Sequence, residues 1–109
     1  MTYKEIVEKV RGTGLAPDEL GRAKEFLSGE YAFVAARLEE VLKSKQSVWD
    51  RIRNSEGVKS DTQAERKYGM TEDGRDEIIY RLRLKAIEKL MSSISSRLRI
   101  LEGEARNQF

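Results

Sequence analysis

Eight residues, all but the small Ala105 large and apolar, recur at alternating steps of four and three through the last third of the chain: Tyr80, Leu84, Ile87, Met91, Ile94, Leu98, Leu101 and Ala105. A spacing that averages 3.5 residues keeps all eight on one side of an α-helix. A strand, whose faces alternate every two residues, would scatter them. Ile79, Leu82, Ala86 and Leu90 add a second, shorter stripe. Thr71 is placed to cap this helix, and Glu72 and Asp73 would sit in its first turn, where negative charge complements the helix dipole. The pattern predicts one long helix over about 72–106.

A second heptad seam precedes it. Leu20, Leu27, Val34, Val41 and Val48 recur every seven residues, interleaved with Lys24, Tyr31, Leu38, Lys45 and Ile52. Pro17 suits the first turn, where its missing N–H leaves nothing unpaired. Ser28-Gly29 does not shift the phase of the seam, so one helix is expected over about 17–53. Ala35, Leu42 and Trp49 widen the apolar stripe beyond what a two-stranded zipper needs, as in helices with several neighbours. Trp49 at its edge reads as a packing residue. Lys24 and Lys45 stand in the seam itself, and the pattern leaves open whether they reach outward along their alkyl stems or mark where helices diverge.

The remaining segments are short. Thr2 and Glu5 have capping-box spacing ahead of Ile6, Val7 and Val10, which predicts a first helix over about 2–11, ended by Gly12-Thr13-Gly14. Residues 54–70 form a connection in which Glu56-Gly57 breaks the pattern. Ser60 and Gln63 have capping spacing for a short helix over about 61–67, closed by Gly69. The chain of 109 residues therefore reads as a single all-α domain of long, heptad-patterned helices arranged as helical hairpins. Two such broad stripes exceed what one hairpin buries, so oligomeric coiled-coil-type packing is expected, with Leu84, Ile87, Met91, Ile94, Leu98 and Leu101 as the contact residues.

The chain has no His and no Cys. Imidazole bases, thiolate nucleophiles and His- or Cys-ligated zinc are thereby excluded, and no convergent carboxylate spacing points to another metal or cofactor. An enzyme is not expected. No apolar run reaches the roughly 20 residues that span a bilayer, so the default is a soluble protein of the cytoplasm.

Charge is distributed unevenly. Residues 1–44 carry 7 basic and 8 acidic side chains, whereas Arg81–Arg99 holds six basic residues and one acidic, Glu88. With Arg81 set at zero and about 100° added per residue, the seam falls near 250° and the cations near −20° to +80°. Arg81, Lys85, Lys89, Arg99 and Arg106 thus form a ridge, interrupted by Ser92 and Ser96. Cations separated by small hydroxyl residues would let a phosphate backbone approach closely. The same pattern also describes a solvated face bordered by Glu88 and Glu102. Arg66-Lys67-Tyr68 in the connection offers two more cations and a ring that either stacks on an unpaired base or packs in the core.

The second half, with Arg66-Lys67-Tyr68-Gly69, Ile87-Glu88-Lys89-Leu90-Met91, Ile94, Arg97 and Arg106-Asn107-Gln108-Phe109, resembles the UvsY-like recombination mediators of tailed phages over about residues 44–109. The paired tyrosines usual before that family's glycine turn are represented here by Tyr68 alone. The resemblance implies a helical protein that binds single-stranded DNA, self-assembles through its C-terminal helices and helps load a recombinase onto DNA coated by a single-strand-binding protein. It would act in recombination and DNA repair in the host cytoplasm. The other class that fits the pattern is a coiled-coil adaptor, scaffold or inhibitor with no nucleic-acid binding.

Overall fold

The computed structural model describes residues 2–11 and 16–107. They form four helices, α1 (Tyr3–Arg11), α2 (Pro17–Arg53), α3 (Asp61–Gly69) and α4 (Glu72–Asn107). Among the described residues there is no strand, and no helix is long and apolar enough to cross a membrane. The glycine stop expected at 12–14 lies outside the described residues.

Side chains that meet orphan backbone groups set the helix starts. Thr2 Oγ1 accepts from Glu5 N–H at 3.2 Å while Thr2 N–H donates to the Glu5 carboxylate at 3.4 Å, a closed capping box. Ser60 accepts from Gln63 N–H at 3.2 Å, but the Gln63 amide oxygen reaches one residue further back, to Lys59 N–H at 2.8 Å. Thr71 accepts from Gly74 N–H at 3.1 Å and donates its hydroxyl to the Tyr68 carbonyl at 2.6 Å.

The end of α3 differs from expectation. Gly69 is its last helical residue and not a left-handed cap, because Met70 N–H and Thr71 N–H already satisfy the Lys67 and Tyr68 carbonyls. Among the described residues a left-handed glycine lies earlier, at Gly57 with φ 86°, where the chain turns after α2. Arg53 holds that turn, donating from Nε to Asp61 at 2.9 Å and from a terminal nitrogen to the Val58 carbonyl at 3.4 Å.

The helices distribute into two compact units, the first comprising Met1–Ala32 and Lys85–Phe109 and the second Phe33–Leu84. In the first, Ile6 and Val10 of α1, Leu20, Ala23 and Leu27 of α2, and Ile87 and Ile94 of α4 form one buried apolar cluster. Tyr3, Phe26, Tyr31, Leu90, Met91, Leu98 and Leu101 pack around it. Ile87 and Ile94, expected as contacts between copies, are 0% exposed within a single chain. The short α1 supplies the third wall that two helices alone lack, so both side chains are already covered. In the second unit Val34, Leu38, Val58, Ala64 and Tyr68 are buried, together with one charged residue, Glu77.

Lys45 owes its seam position to Glu77. Its ammonium lies 3.1 Å and 3.4 Å from the two Glu77 carboxylate oxygens and 5.1 Å from the centre of the Tyr68 ring. Arg81 approaches the same carboxylate at 3.5 Å.

Candidate nucleic-acid interface

Burial of Ile87 and Ile94 decides which way α4 faces in the first unit. Those residues lie near 240° and 220° on the helical wheel, so the arc from about 0° to 80° points to solvent. Lys85, Lys89, Ser92, Ser96 and Arg99 occupy that arc and are all exposed, as is Arg106 near its border. Between 0° and 80° there is no carboxylate, while Glu88, near −20°, stands at the same angle as Arg106. Among the described residues, Lys85, Lys89 and Arg99 form no ion pair, unlike Lys43, Lys45, Arg53 and Arg81.

Glu88, the acid that borders the ridge, is engaged elsewhere. The Tyr31 hydroxyl of α2 donates to its carboxylate at 3.0 Å. That bond, then the Glu88 charge, then burial raise the Tyr31 phenol above its ordinary pKa. The carboxylate thus has its partner on α2, and neither Lys85 nor Lys89 forms an ion pair with it.

Other expected site residues are placed differently. Arg81 belongs to the second unit and is tied to Glu77. Arg66 and Lys67 are exposed in the last turn of α3, where their charge complements the helix dipole. Tyr68 does not offer a ring to an incoming base. It is 3% exposed, covered on one face by the Lys45 ammonium, with its hydroxyl buried and unpartnered. Burial first, then the charges of Glu77, Asp73 and Glu65, raise its pKa, with Arg81 opposing. The reason is positional: Ala64 and Tyr68, four residues apart, form the inward face of the two-and-a-half-turn α3.

No protein-family model, curated protein or solved structure matches this chain.

Sequence reasoning missed Tyr3. With Val7, Ala86 and Leu90 it lines an open cleft beside Lys89, so a half-buried aromatic ring of α1 adjoins a ridge cation. The heptads of α4 gave no sign of this, because the juxtaposition depends on α1 docking over Ile87. Arg99 likewise borders a shallow cleft with Ser96 and Ile100. The arrangement provides strongly charged donors at Lys85, Lys89 and Arg99 and neutral hydroxyl donors at Ser92 and Ser96. This is the donor set that holds a phosphodiester backbone with its bases free to stack. Among the described residues, no three carboxylates gather to hold a metal ion.

Proposed function

We propose that this chain is a non-enzymatic nucleic-acid-binding accessory protein that holds a single strand along the α4 face of Lys85, Lys89, Ser92, Ser96 and Arg99. The observation that carries the reading is that these exposed cations make no ion pairs while the neighbouring Glu88 is engaged by Tyr31. The resemblance to UvsY-like mediators supplies the setting, which is handling of single-stranded DNA for a recombinase.

Three cations per chain hold a strand weakly, so self-association that repeats the ridge along one strand belongs to the same proposal. Leu84, Met91, Leu98 and Leu101 keep partial exposure along the seam and are the residues left for coiled-coil contact between copies.

Anisotropy of labelled single- and double-stranded oligonucleotides over a salt series tests the reading. With three phosphates neutralised per subunit, the logarithmic salt slope for single strands is expected near about −2 per engaged subunit, at about 0.7 per contact. Lys85→Glu with Lys89→Glu removes binding and leaves helicity unchanged, since both side chains face solvent. Wild-type protein that binds no oligonucleotide at low salt would overturn the proposal. A monomer mass by light scattering throughout the micromolar range would remove the assembly from it.

A further inference from the structure

Within the second unit, three aliphatic side chains of α4 stand more than half exposed: Ile78 at 53%, Ile79 at 55% and Leu82 at 61%. They are neighbours on the helix surface, since Leu82 follows Ile78 by four residues and Ile79 by three. With Arg81 again at zero they fall between about 60° and 160°, and Arg75 lies among them near 120°. Arg75 and Arg81 are both exposed. The carboxylates of this stretch are turned away: Asp73, Asp76 and Glu77 lie between about 220° and 320°, and Glu72 is at the margin near 180°. The second unit thus presents an aliphatic patch with Arg75 inside it, Arg81 at one edge and a single carboxylate, Glu72, at the other.

Contiguous aliphatic exposure of this kind marks a surface that another molecule covers. A phosphate backbone would engage the arginines and leave Ile78, Ile79 and Leu82 wet. A second copy docked by two-fold symmetry about Ile78 would set Arg75 of each copy against Arg81 of the other, like charge against like. An acidic partner answers both halves of the surface, because its carboxylates match the guanidinium forks while its apolar side chains cover the aliphatics. Arg81 remains able to take part: it is 55% exposed and meets Glu77 through one terminal nitrogen at 3.5 Å, leaving other donors of its fork for a second carboxylate.

We propose that this face of α4, centred on Ile78, Ile79 and Leu82 with Arg75 among them and Arg81 at one edge, docks an acidic amphipathic segment of a partner protein. Leu82 and Lys85, three residues apart, adjoin on the helix, so this face borders the ridge but uses neither Lys85 nor Lys89.

The test uses the full chain and a fluorescein-labelled 20-residue peptide of Glu, Asp, Ala and Leu, with the leucines at helical spacing. An isomer of identical composition with that spacing scrambled serves as the comparison. Anisotropy is expected to show the periodic peptide binding about tenfold or more tightly than the scrambled one. Leu82→Asp or Arg75→Glu should weaken the periodic peptide by at least about tenfold. Both positions are exposed, and circular dichroism confirms that each variant keeps its helicity. Equal binding of the two peptides would reduce the effect to net charge and overturn the proposal, as would unchanged affinity in Leu82→Asp. If wild-type protein ignores the peptide and self-associates in a way that Leu82→Asp abolishes, the face belongs to a second copy. If Leu82→Ala loses oligonucleotide binding and leaves peptide binding intact, the face belongs to nucleic acid. Either result overturns the proposal.

Discussion

The two packing units are made from the same pair of long helices, yet they are stabilised differently. The first buries seven apolar side chains from α1, α2 and α4 and, among its described residues, no charged one. The second buries Glu77 at 8% exposure, covers Tyr68 with the Lys45 ammonium and leaves two polar atoms, Trp49 Nε1 and Tyr68 Oη, without partners. The divergence begins in the α2 seam. Where the seam reads Leu20 and Leu27, hydrophobic burial alone determines the packing. Where it reads Lys45, the facing helix must supply a carboxylate, and the short α3 must supply the ring that shields the pair. A wholly apolar unit is tolerant of conditions and intolerant of substitution by charge. A unit with a partly buried ion pair is sensitive to loss of either member.

The largest effect should come from placing a charge in the apolar unit. Ile94 is 0% exposed, and Ile94→Asp would bury a carboxylate with no partner. A loss of more than about 4 kcal/mol is expected, comparable to the whole stability of a small domain. The same change at Leu82, 61% exposed in the second unit, should stay within about 0.5 kcal/mol. Thermal melts followed by circular dichroism check both. A wild-type melting temperature in Ile94→Asp would show that the α4 seam is not enclosed by its own chain.

The polar centre of the second unit is tested by removing its members singly and together. Lys45→Leu leaves the Glu77 carboxylate with Arg81 alone, at 3.5 Å. A loss of about 2 kcal/mol is expected, below the range for fully buried pairs because the Lys45 side chain is 35% exposed. Lys45→Leu with Glu77→Leu should recover most of that loss, since an apolar pair needs no compensation. Additive single effects in the double variant would show that the two residues do not act as a pair.

A somewhat smaller effect should follow at the junction of α3 and α4. A methyl group built on Gly74 would overlap the Tyr68 carbonyl, which the Thr71 cap holds in place from the other side. Gly74→Ala is expected to destabilise by about 1–3 kcal/mol, because backbone must move to admit one carbon. At Gly103, where nothing lies within contact of an added methyl, the same substitution should raise helix stability by up to about 1 kcal/mol. Chemical denaturation that found Gly74→Ala neutral would mean that the α3–α4 turn is looser than its hydrogen bonds indicate.

These residues also mark how far the fold could be read from sequence. The bounds of α2 and the start of α4 follow from seams and caps: heptads carry helix phase, and Pro17, Ser60 and Thr71 act on backbone groups a few residues away. Gly74 carried no signal, because its constraint comes from the Tyr68 carbonyl after the chain has turned back. Glu77 looked like any carboxylate early in a helix, and only the opposing Lys45 gives it a reason to be buried. The stripe of Ile79, Leu82, Ala86 and Leu90 reads as continuous, yet Leu90 packs against a core while Ile79 and Leu82 face solvent. Periodicity says that residues share a face, not what that face meets. For the candidate site, the ridge of Lys85, Lys89 and Arg99 was legible because it is local to one helix. The neighbouring Tyr3 and the capture of Glu88 by Tyr31 were not, since both depend on which helices pack together.

The smallest expected effect has the opposite sign and separates a structural ring from a binding one. Tyr68→Phe removes a buried hydroxyl that has no partner, while the ring beneath Lys45 remains. Losing an unsatisfied polar group should stabilise the second unit by up to about 1 kcal/mol at neutral pH. The pH dependence follows from the raised phenol pKa. Below the ordinary value of 10.0, Tyr68 is neutral in both folded and unfolded chains, and its contribution is constant. As pH rises above that value, the unfolded chain loses its phenolic proton first, so stability falls until the folded pKa is passed. Wild-type protein should therefore weaken in alkali more than Tyr68→Phe does. Tyr31→Phe supplies the comparison, because Tyr31 is also raised but at the surface, through Glu88, and its removal also deletes a hydrogen bond. The gap between wild type and Tyr68→Phe in urea titrations at neutral pH and above pH 10 is the measurement. A gap that does not widen in alkali would show that the Tyr68 hydroxyl reaches water, and would return its ring to the candidates for base stacking.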